Sequence, residues 1–387
     1  MHVCNACVRY LGLEIQRSTV VFRKILGPLM AGLLVAGIGT AIYISYGRKA
    51  QDDAMQAAAA AIVDVKGMIG SEKESFFMDA EVIQVLAKRG FRVKVEKVGS
   101  REIAFRDHAG FDFGFPAGAP AAIALQAKVK ASQTYPTFFT PMAIASWKLL
   151  IPTLEQEGVV RRTNDAYYIV DMKRLLALSE TGARWRDLKG NTAYATGKSV
   201  LITSTDVRKS NSAAMYLALA SYVSNGNNVV NDSDQAAKVL PFVSSLFLRQ
   251  GLQESSSAGP FEDYTTMGVG KAPLVMIYES QFLEYQSKRA QPNTDMVLLY
   301  PQPTIYTKHV VVPFTEHGRR LGEVLATDPD LQRLATQYGY RTASAQQFTD
   351  FLNSKKLEAP ATLVDVIDPP SYEVLERMIQ VIEQKFQ

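Results

Sequence analysis

Three apolar stretches in the first third of the chain have the length and pattern of β-strands. They are residues 63–69, 91–98 and 111–115, and helical patterns follow the first and the third at residues 75–89 and 120–132. Strands that alternate with helices in this way are typical of parallel sheets with helices on both faces. The pattern therefore predicts an α/β fold.

The rest of the chain continues the alternation after an extended segment at residues 135–147. Further strands are predicted at residues 200–203, 274–278, 296–300 and 309–313. Helices are predicted at residues 148–157, 171–179, 210–224, 317–326, 330–338 and 371–386. An Asn-rich stretch, residues 224–234, has the composition of a surface loop. No internal repeat interrupts this succession.

Residues 25–46 form an apolar segment without a charged residue, long enough to cross a bilayer as a helix. Basic residues are in excess on its N-terminal side, at positions Arg9, Arg17, Arg23 and Lys24. This asymmetry predicts that the N-terminus stays in the cytoplasm and that the rest of the chain is exported. We therefore expect a cytoplasmic tail (1–24), a single transmembrane helix (25–46) and a stalk (47–61).

A cleavable signal peptide is the alternative interpretation of this segment. Its apolar core would be shorter, and a cleavage site with small residues would follow it. Residues 50–54, Ala-Gln-Asp-Asp-Ala, are a poor site, and no cysteine follows the span that a lipid could modify. The sequence favours an uncleaved anchor.

The only two cysteines, Cys4 and Cys7, lie in the predicted cytoplasmic tail. A Cys-x-x-Cys pair supplies two of the four ligands of a structural zinc site, and His2 is a candidate for a third. An unstructured tail is the interpretation that so short a motif favours. We therefore expect neither a metal nor a cofactor.

Sequence signatures of catalysis are missing. The chain has no Gly-x-Ser-x-Gly elbow and no His-Glu-x-x-His motif, and His108, His309 and His317 are far apart in the sequence. The Ala-Thr-Gly-Lys-Ser of residues 195–199 lacks the first glycine and the preceding strand of a phosphate-binding loop. A net charge of +4 on 387 residues gives no case for nucleic acid. These observations disfavour an enzyme and a nucleic-acid-binding protein.

Short polar or glycine-containing turns follow several predicted strands and precede helices. They begin at Gly70, Gly99, Pro116 and Ser204. Unpaired backbone N–H groups at such helix starts, with hydroxyl donors beside them, favour negatively charged groups. In an open parallel sheet these turns line up along the carboxyl edge, where ligands bind. Ordinary helix capping uses the same residue types, so the indication comes from four turns together and not from one.

Several longer segments extend this pattern over residues 62–345. In chain order they are IGSEKESFFMDAEVIQVLAKRGFRVKVEKVGSREIA, FDFGFPAGAPAA, ARWRDLKG, GKSVLITSTDVRKSNSAAMYLALASYV, MGVGKAPLVMIYES, MVLLYPQPTIYTKHVVV and DPDLQRLATQYGYR. In this order they resemble the type II periplasmic solute-binding proteins, the receptor subunits of ATP-driven (ABC) uptake systems. The resemblance rests on the order of the segments, since no single one is diagnostic.

The resemblance implies two α/β lobes joined by hinge strands, with a ligand in the cleft between them. Lobe I would comprise residues 62–138 and 290–387, and lobe II residues 139–289. Carried over to this sequence, the ligand-binding residues of lobe I are Ser71, Glu72, Lys73, Ser100, Arg101, Ala117 and Gly118. Those of lobe II are Thr205, Asp206, Arg208, Ser210, Asn211, Ser212, Tyr278 and Glu279.

The resemblance implies a solute-binding receptor with its main domain in the periplasm. The predicted span departs from the family, whose members are usually soluble or lipid-anchored through a cysteine, and it predicts that this receptor is anchored in the bacterial inner membrane. It would capture a small polar or charged ligand and work with a membrane permease. The mixed charges of the turns fit a zwitterion or a cation as well as an anion. The alternative is an anchored scaffold or sensor that uses the same fold with other inner-membrane proteins. The small-residue stripe Gly32-x-x-x-Ala36-x-x-x-Thr40 in the span favours such helix–helix contacts.

Overall fold

The computed structural model describes residues 62–163, 167–363 and 365–386, with six further residues between positions 39 and 47. Residues 62–387 form one compact unit. The predicted tail with Cys4 and Cys7 lies outside the described residues, as do nearly all of the predicted span and stalk. Within the described part of the chain, no helix combines the length and the apolarity that crossing a bilayer requires.

The strands of residues 62–387 form one mixed sheet. They are β1 (Val63–Ile69), β2 (Phe91–Lys97), β3 (Phe113–Phe115), β4 (Tyr135–Trp147), β5 (Val160–Arg162), β6 (Tyr168–Asp171), β7 (Val275–Tyr278), β8 (Met296–Gln302) and β9 (Tyr306–Pro313). Their order is β2-β1-β3-β9-β4-β8-β6-β5, and β7 pairs with β4 as well.

The α-helices lie mostly between these strands. They are α1 (Glu74–Met78), α2 (Ala80–Lys88), α3 (Ala119–Val129), α4 (Ile151–Gln156), α5 (Met172–Glu180), α6 (Asn211–Ser224), α7 (Ser233–Leu248), α8 (Ala258–Met267), α9 (Glu279–Ser287), α10 (Glu316–Thr327), α11 (Pro329–Gln337), α12 (Ala345–Lys355) and α13 (Tyr372–Gln384). Short 3₁₀ turns occur at Ser71–Lys73, Glu102–Phe105, Lys148–Leu150 and Trp185–Asp187.

Only part of the sheet is parallel, which corrects the prediction of parallel sheets. Strand β1 runs parallel to β2 and β3, and β6 runs parallel to β8. Strands β8 and β9 run one after the other along β4, which is antiparallel to both. The first half of the 13-residue β4 pairs with β9 and its second half with β8 and β7. The predicted extended segment at residues 135–147 is thus a single strand that links the two halves of the sheet.

Buried side chains cover both faces of the sheet, because successive residues of a strand point to opposite sides. In the first half, Ile69 and Val311 belong to one apolar cluster, and their neighbours Met68 and Val310 belong to another. In the second half, the neighbouring residues Ile144 and Ala145 likewise belong to two different apolar clusters. Helices therefore pack on both faces, as the sequence pattern predicts.

Several element boundaries differ from the sequence pattern. The helix predicted at residues 75–89 is broken at Asp79, which is extended and caps α2 by accepting hydrogen bonds from the backbone N–H groups of Glu81 and Val82. The strand predicted at residues 200–203 is reduced to one isolated bridge, between Thr203 and Val275. The predicted Asn-rich loop is confirmed, since α7 begins only at Ser233.

Candidate functional site

Four segments meet in the region that we call the junction. Residues 71–73, 99–101 and 117–118 follow β1, β2 and β3, and residues 204–212 lead into α6. The backbone N–H of Ala117 donates to Oγ of Ser100 over 3.0 Å. The backbone N–H of Arg101 donates to the carbonyl oxygen of Lys209 over 3.1 Å. These contacts join the turns after β2 and β3 to each other and hold the turn after β2 against the segment that leads into α6.

Gly118 shows how closely the segments approach each other. Its φ of +91° is one that residues with a side chain rarely adopt. A Cβ atom at this position would lie 2.1 Å from Oδ1 of Asn211, the first residue of α6. The glycine is therefore required both by the backbone and by the neighbouring side chain.

Glu72, Lys73 and His309 form a buried polar cluster at the centre of the junction. The side chains of Lys73 and His309 are fully buried, and that of Glu72 is 3% exposed. The Lys73 ammonium pairs with the Glu72 carboxylate and lies 3.2 Å from Nδ1 of His309. It also lies 5.0 Å from the centre of the Phe115 ring, within the range of a cation–π contact. His309 reaches the cluster because β9 bridges to Ala117.

Burial and the neighbouring charges set the ionisation of this cluster. Burial raises the pKa of the Glu72 carboxyl, but the adjacent Lys73 charge opposes it, and the pKa is lowered to about 2. Burial lowers the pKa of Lys73, and the Glu72 carboxylate opposes this shift. Burial, followed by the Lys73 charge, lowers the pKa of His309 to about 4. At neutral pH Glu72 is therefore ionised and the imidazole of His309 is neutral, and the side chain of Lys73 pairs with the Glu72 carboxylate.

The tautomer of His309 follows from its contact with Lys73. An ammonium group only donates hydrogen bonds, so Nδ1 is the acceptor and the proton of the neutral ring lies on Nε2. This Nε2 is buried and has no partner among the described residues, and the same holds for Oγ of Ser71 and Oγ1 of Thr307. Buried donors are normally paired with protein, water or ligand. The junction therefore offers hydrogen-bond donors that can bind an acceptor oxygen atom of a ligand.

Hydroxyl groups surround the start of α6. Oγ of Ser212 lies 2.9 Å from Oγ1 of Thr205 and 2.9 Å from Oγ of Ser210. Nδ2 of Asn211 donates to the hydroxyl of Tyr278 over 3.3 Å. These predicted site residues are thus close together, and they bond to one another.

The other charged residues of the predicted site are held in ion pairs within the protein. Asp206 accepts from the Arg208 guanidinium at 2.6–3.1 Å. Arg101 donates two hydrogen bonds, of 2.5 and 2.8 Å, to Glu376 of α13. No cation of the predicted site within the described residues is thus left without a carboxylate.

Glu279 lies apart from these groups, in a buried ion pair of its own. It accepts from Arg341 at 2.7 and 2.8 Å and from the Tyr300 hydroxyl at 2.7 Å. Its carboxylate is fully satisfied by these partners. The contacts indicate a structural role for Glu279.

Three residues around the Glu72–Lys73 pair are not in the predicted set: His309, Phe115 and Tyr340. The hydroxyl of Tyr340 donates to the backbone oxygen of Glu72 over 2.7 Å. The sequence shows His309 only as one of three histidines far apart in the chain, and the structure buries it against the Glu72–Lys73 pair. The available signal was its place beside the apolar residues 310–312, where a lone polar side chain needs a buried partner.

A metal site is not apparent in the part of the chain that the structure describes. No group of three or more His, Cys, Asp or Glu side chains there is arranged to hold an ion. The Glu72–His309 contact supplies only two such ligands, and the Lys73 ammonium lies beside both. A cation at this point would meet a positive charge.

Comparison with known proteins adds structural but no sequence relatives. No protein-family model matches the sequence, and no curated protein matches it significantly. The sulfate-binding protein SubI from Mycobacterium tuberculosis H37Rv matches with a TM-score of 0.50 and 15% identity, over 81% of this chain and 96% of its own. The periplasmic binding protein P5PA matches with a TM-score of 0.53 and 10% identity, over 84% and 99%.

Iron-bound HitA from Pseudomonas aeruginosa also matches, with a TM-score of 0.51 and 12% identity, over 84% of this chain and 99% of its own. All three neighbours are binding proteins, and each is covered over nearly its whole length. Identities this low carry the fold and nothing finer. Residues 62–387 thus have a mixed α/β fold similar to that of the type II periplasmic solute-binding proteins.

Proposed function

We propose that the chain is a solute-binding receptor anchored in the bacterial inner membrane, with residues 62–387 on the periplasmic side. It holds a small polar or charged ligand at the junction, between a lobe I of residues 62–138 and 290–387 and a lobe II of residues 139–289. It passes that ligand to a membrane permease and catalyses no reaction. The fold similarity to binding proteins supports this reading.

The observation that carries the proposal is the set of buried, unpartnered donors at the junction. Nε2 of His309 and Oγ of Ser71 have no acceptor among the described residues, although the segments around them are closely packed. A buried donor without a partner costs about 1–3 kcal/mol, so an acceptor oxygen from a ligand would offset this cost. Tyr278, another predicted ligand-binding residue, lies beside His309, with 5.9 Å between the two ring centres.

A thermal-shift screen of the full chain in detergent tests this function. The panel holds oxyanions, divalent metal ions, amino acids and amines. A ligand that binds only the folded protein must raise the melting temperature in a saturable way. We expect at least one class to do so, and we expect Ser71→Ala to weaken the effect. Ser354→Ala, which removes a hydroxyl bonded to the backbone of Phe351 in α12, is the matched control and keeps the full shift.

A second candidate function is the anchored scaffold or sensor, and one observation favours it. The charged groups of the predicted site are already paired within the protein, and the segments that would close on a ligand are already in contact. Under this reading no panel member raises the melting temperature of the folded chain. Cross-linking in intact membranes would instead recover a defined inner-membrane partner, and Ser71→Ala would leave that partner bound.

A further inference from the structure

The interior of the junction contains a cation that the protein supplies itself. Lys73 follows β1 in the Ser71–Lys73 turn, and its side chain turns inward until none of it is exposed. Lysine is almost never fully buried unless it is paired, because the ammonium group loses its hydration. Ordinary lysines keep the ammonium in water and bury only the alkyl chain. The burial of Lys73 therefore requires a site built to hold an ammonium group.

The surroundings of the Lys73 ammonium meet that requirement. The Glu72 carboxylate supplies the counter-charge, and Nδ1 of His309 accepts a hydrogen bond at 3.2 Å. The ring of Phe115 lies 5.0 Å away and faces the charge. A carboxylate, a neutral acceptor and an aromatic face are the groups that recognise an alkylammonium ion.

Further aromatic rings enclose the acceptor side of the site. The rings of Phe138, Tyr340 and Tyr278 lie 5.3, 5.2 and 5.9 Å from the ring of His309. This apolar enclosure excludes water and strengthens the attraction between the ammonium and the carboxylate. The backbone of Glu72 is also fixed in place, since the hydroxyl of Tyr340 donates a hydrogen bond to its carbonyl oxygen.

We propose that the junction contains an alkylammonium-binding site and that the side chain of Lys73 is its resident occupant. A primary amine from outside competes with this side chain for Glu72 and His309, so free amines bind poorly while Lys73 is in place. The proposal rests on the proposed function only in treating the junction as a ligand site. It assigns the chemical class of that site.

Chemical rescue of Lys73→Ala tests the proposal. The substitution removes the ammonium and leaves a space beside Glu72, which n-propylammonium or n-butylammonium can fill. We expect either ion to raise the melting temperature of the full-length variant saturably, by at least about 2 °C at millimolar concentration. We expect no such rise in the wild-type chain. A folded variant that no amine stabilises, or a wild-type chain that amines stabilise equally, would overturn the proposal.

Three controls tie any rescue to the site. The neutral alcohol 1-butanol has a similar shape without the charge and should not rescue Lys73→Ala. Adding Glu72→Gln to that variant should abolish rescue. Lys288→Ala is the matched control, because Lys288 also pairs with a carboxylate and lies 4.6 Å from the ring centre of Tyr338, but 54% of its side chain is exposed. It should show no amine-dependent stabilisation.

A measurement on the wild-type chain covers the case in which Lys73→Ala does not fold. Brief acylation with acetic anhydride, followed by mass spectrometry, reports how accessible each lysine amine is. We expect Lys73 to react on the order of 100-fold more slowly than Lys288, since its reaction requires local opening. Equal rates would overturn the assignment of Lys73 as an occupant.

The two proposals fail in different ways. If the wild-type chain binds a panel ligand and a folded Lys73→Ala variant binds no amine, the receptor function is supported and the proposal of a resident lysine is overturned. If Lys73→Ala binds amines and the wild-type chain binds no panel ligand, the proposal of a resident lysine is supported and the scaffold function is favoured over the receptor.

Discussion

Nζ of Lys73 lies 3.2 Å from Nδ1 of His309, although 236 positions separate the two residues. Lys73 follows β1 and His309 belongs to β9, and β3 lies between these strands in the sheet. The ammonium is a donor only, so the contact determines which nitrogen of the ring carries the proton. It also disfavours a charged imidazole, because two positive charges would then meet in a buried site.

The first prediction concerns acid. The pKa of His309 falls from 6.5 to about 4 on folding through burial and the Lys73 charge, against the opposing charge of Glu72. Between these values the unfolded chain binds a proton that the folded protein does not. The free energy of unfolding should therefore decrease as the pH falls through this window, by up to about 1.4 kcal/mol per pH unit. Urea denaturation at several pH values measures the slope.

His309→Gln should remove that slope between pH 6.5 and pH 4, while the exposed His317→Gln should keep it. An unchanged slope in His309→Gln would contradict the assignment. A separate loss is expected at lower pH, because the folded-state pKa of Glu72 is about 2 against 4.5 for the free side chain. The stabilisation from the ionised Glu72 is present above pH 4.5 and is lost as the pH falls towards 2.

The second prediction concerns the ion pair between Glu279 and Arg341, whose side chains are 0% and 5% exposed. Arg341→Met leaves the Glu279 carboxylate buried without its counter-charge. Breaking a buried pair in this way destabilises a protein by about 3–5 kcal/mol. Arg319→Met breaks the Glu316–Arg319 pair, whose side chains are 65% and 41% exposed, and should destabilise the protein far less, because solvent screens an exposed pair. Equal losses in urea denaturation would rule out a structural role for Glu279.

The third prediction compares alanine substitutions at two glycines, both of which have a positive φ. Gly118 has φ +91° and Gly110 has φ +78°, but no atom lies within 4 Å of a Cβ built at Gly110. Gly110→Ala should cost only the backbone strain, about 1 kcal/mol. Gly118→Ala adds a clash with Asn211 and should cost about 1–3 kcal/mol more.

Small-angle X-ray scattering distinguishes two responses to Gly118→Ala. An increase in the radius of gyration would show that the junction opens to relieve the clash. An unchanged radius with the full loss of stability would show that it stays closed under strain. Equal stability of the two alanine variants would contradict close packing between Gly118 and Asn211.

The fourth prediction concerns the attachment of α13. Arg101 and Glu376 are 5% and 16% exposed and share two hydrogen bonds, so Glu376→Gln should destabilise by about 1–3 kcal/mol. Amide exchange within Tyr372–Gln384 should become faster, which hydrogen-exchange mass spectrometry measures. Arg106→Ala breaks the more exposed pair with Glu102 and should cost about 0.5 kcal/mol or less, with unchanged exchange in α13.

Parts of the fold could be predicted from local pattern and others could not. Strands β1 and β2 follow from local apolar periodicity, and the start of α6 follows from a polar turn before an apolar helix. Helix α9 was missed because its residues Glu279, Ser280, Gln281 and Gln286 are polar yet buried, so its pattern does not show which side packs. Its stability comes from partners elsewhere in the chain, such as Arg341.

The sequence by itself determined the α/β alternation, the resemblance in segment order and the turns that supply most of the junction. Each of these depends on neighbours within a few residues, where periodicity and turn chemistry act. Only the tertiary structure decided which charges pair: Arg101 with Glu376 across 275 positions, and Lys73 with His309 across 236. Such pairing depends on the distances that tertiary packing sets between residues far apart in the chain, and no spacing in the sequence encodes those distances directly. Lys73 could be predicted as a site residue because it lies in the turn after β1. The burial of its ammonium group could not be predicted, because it depends on packing against distant residues such as His309.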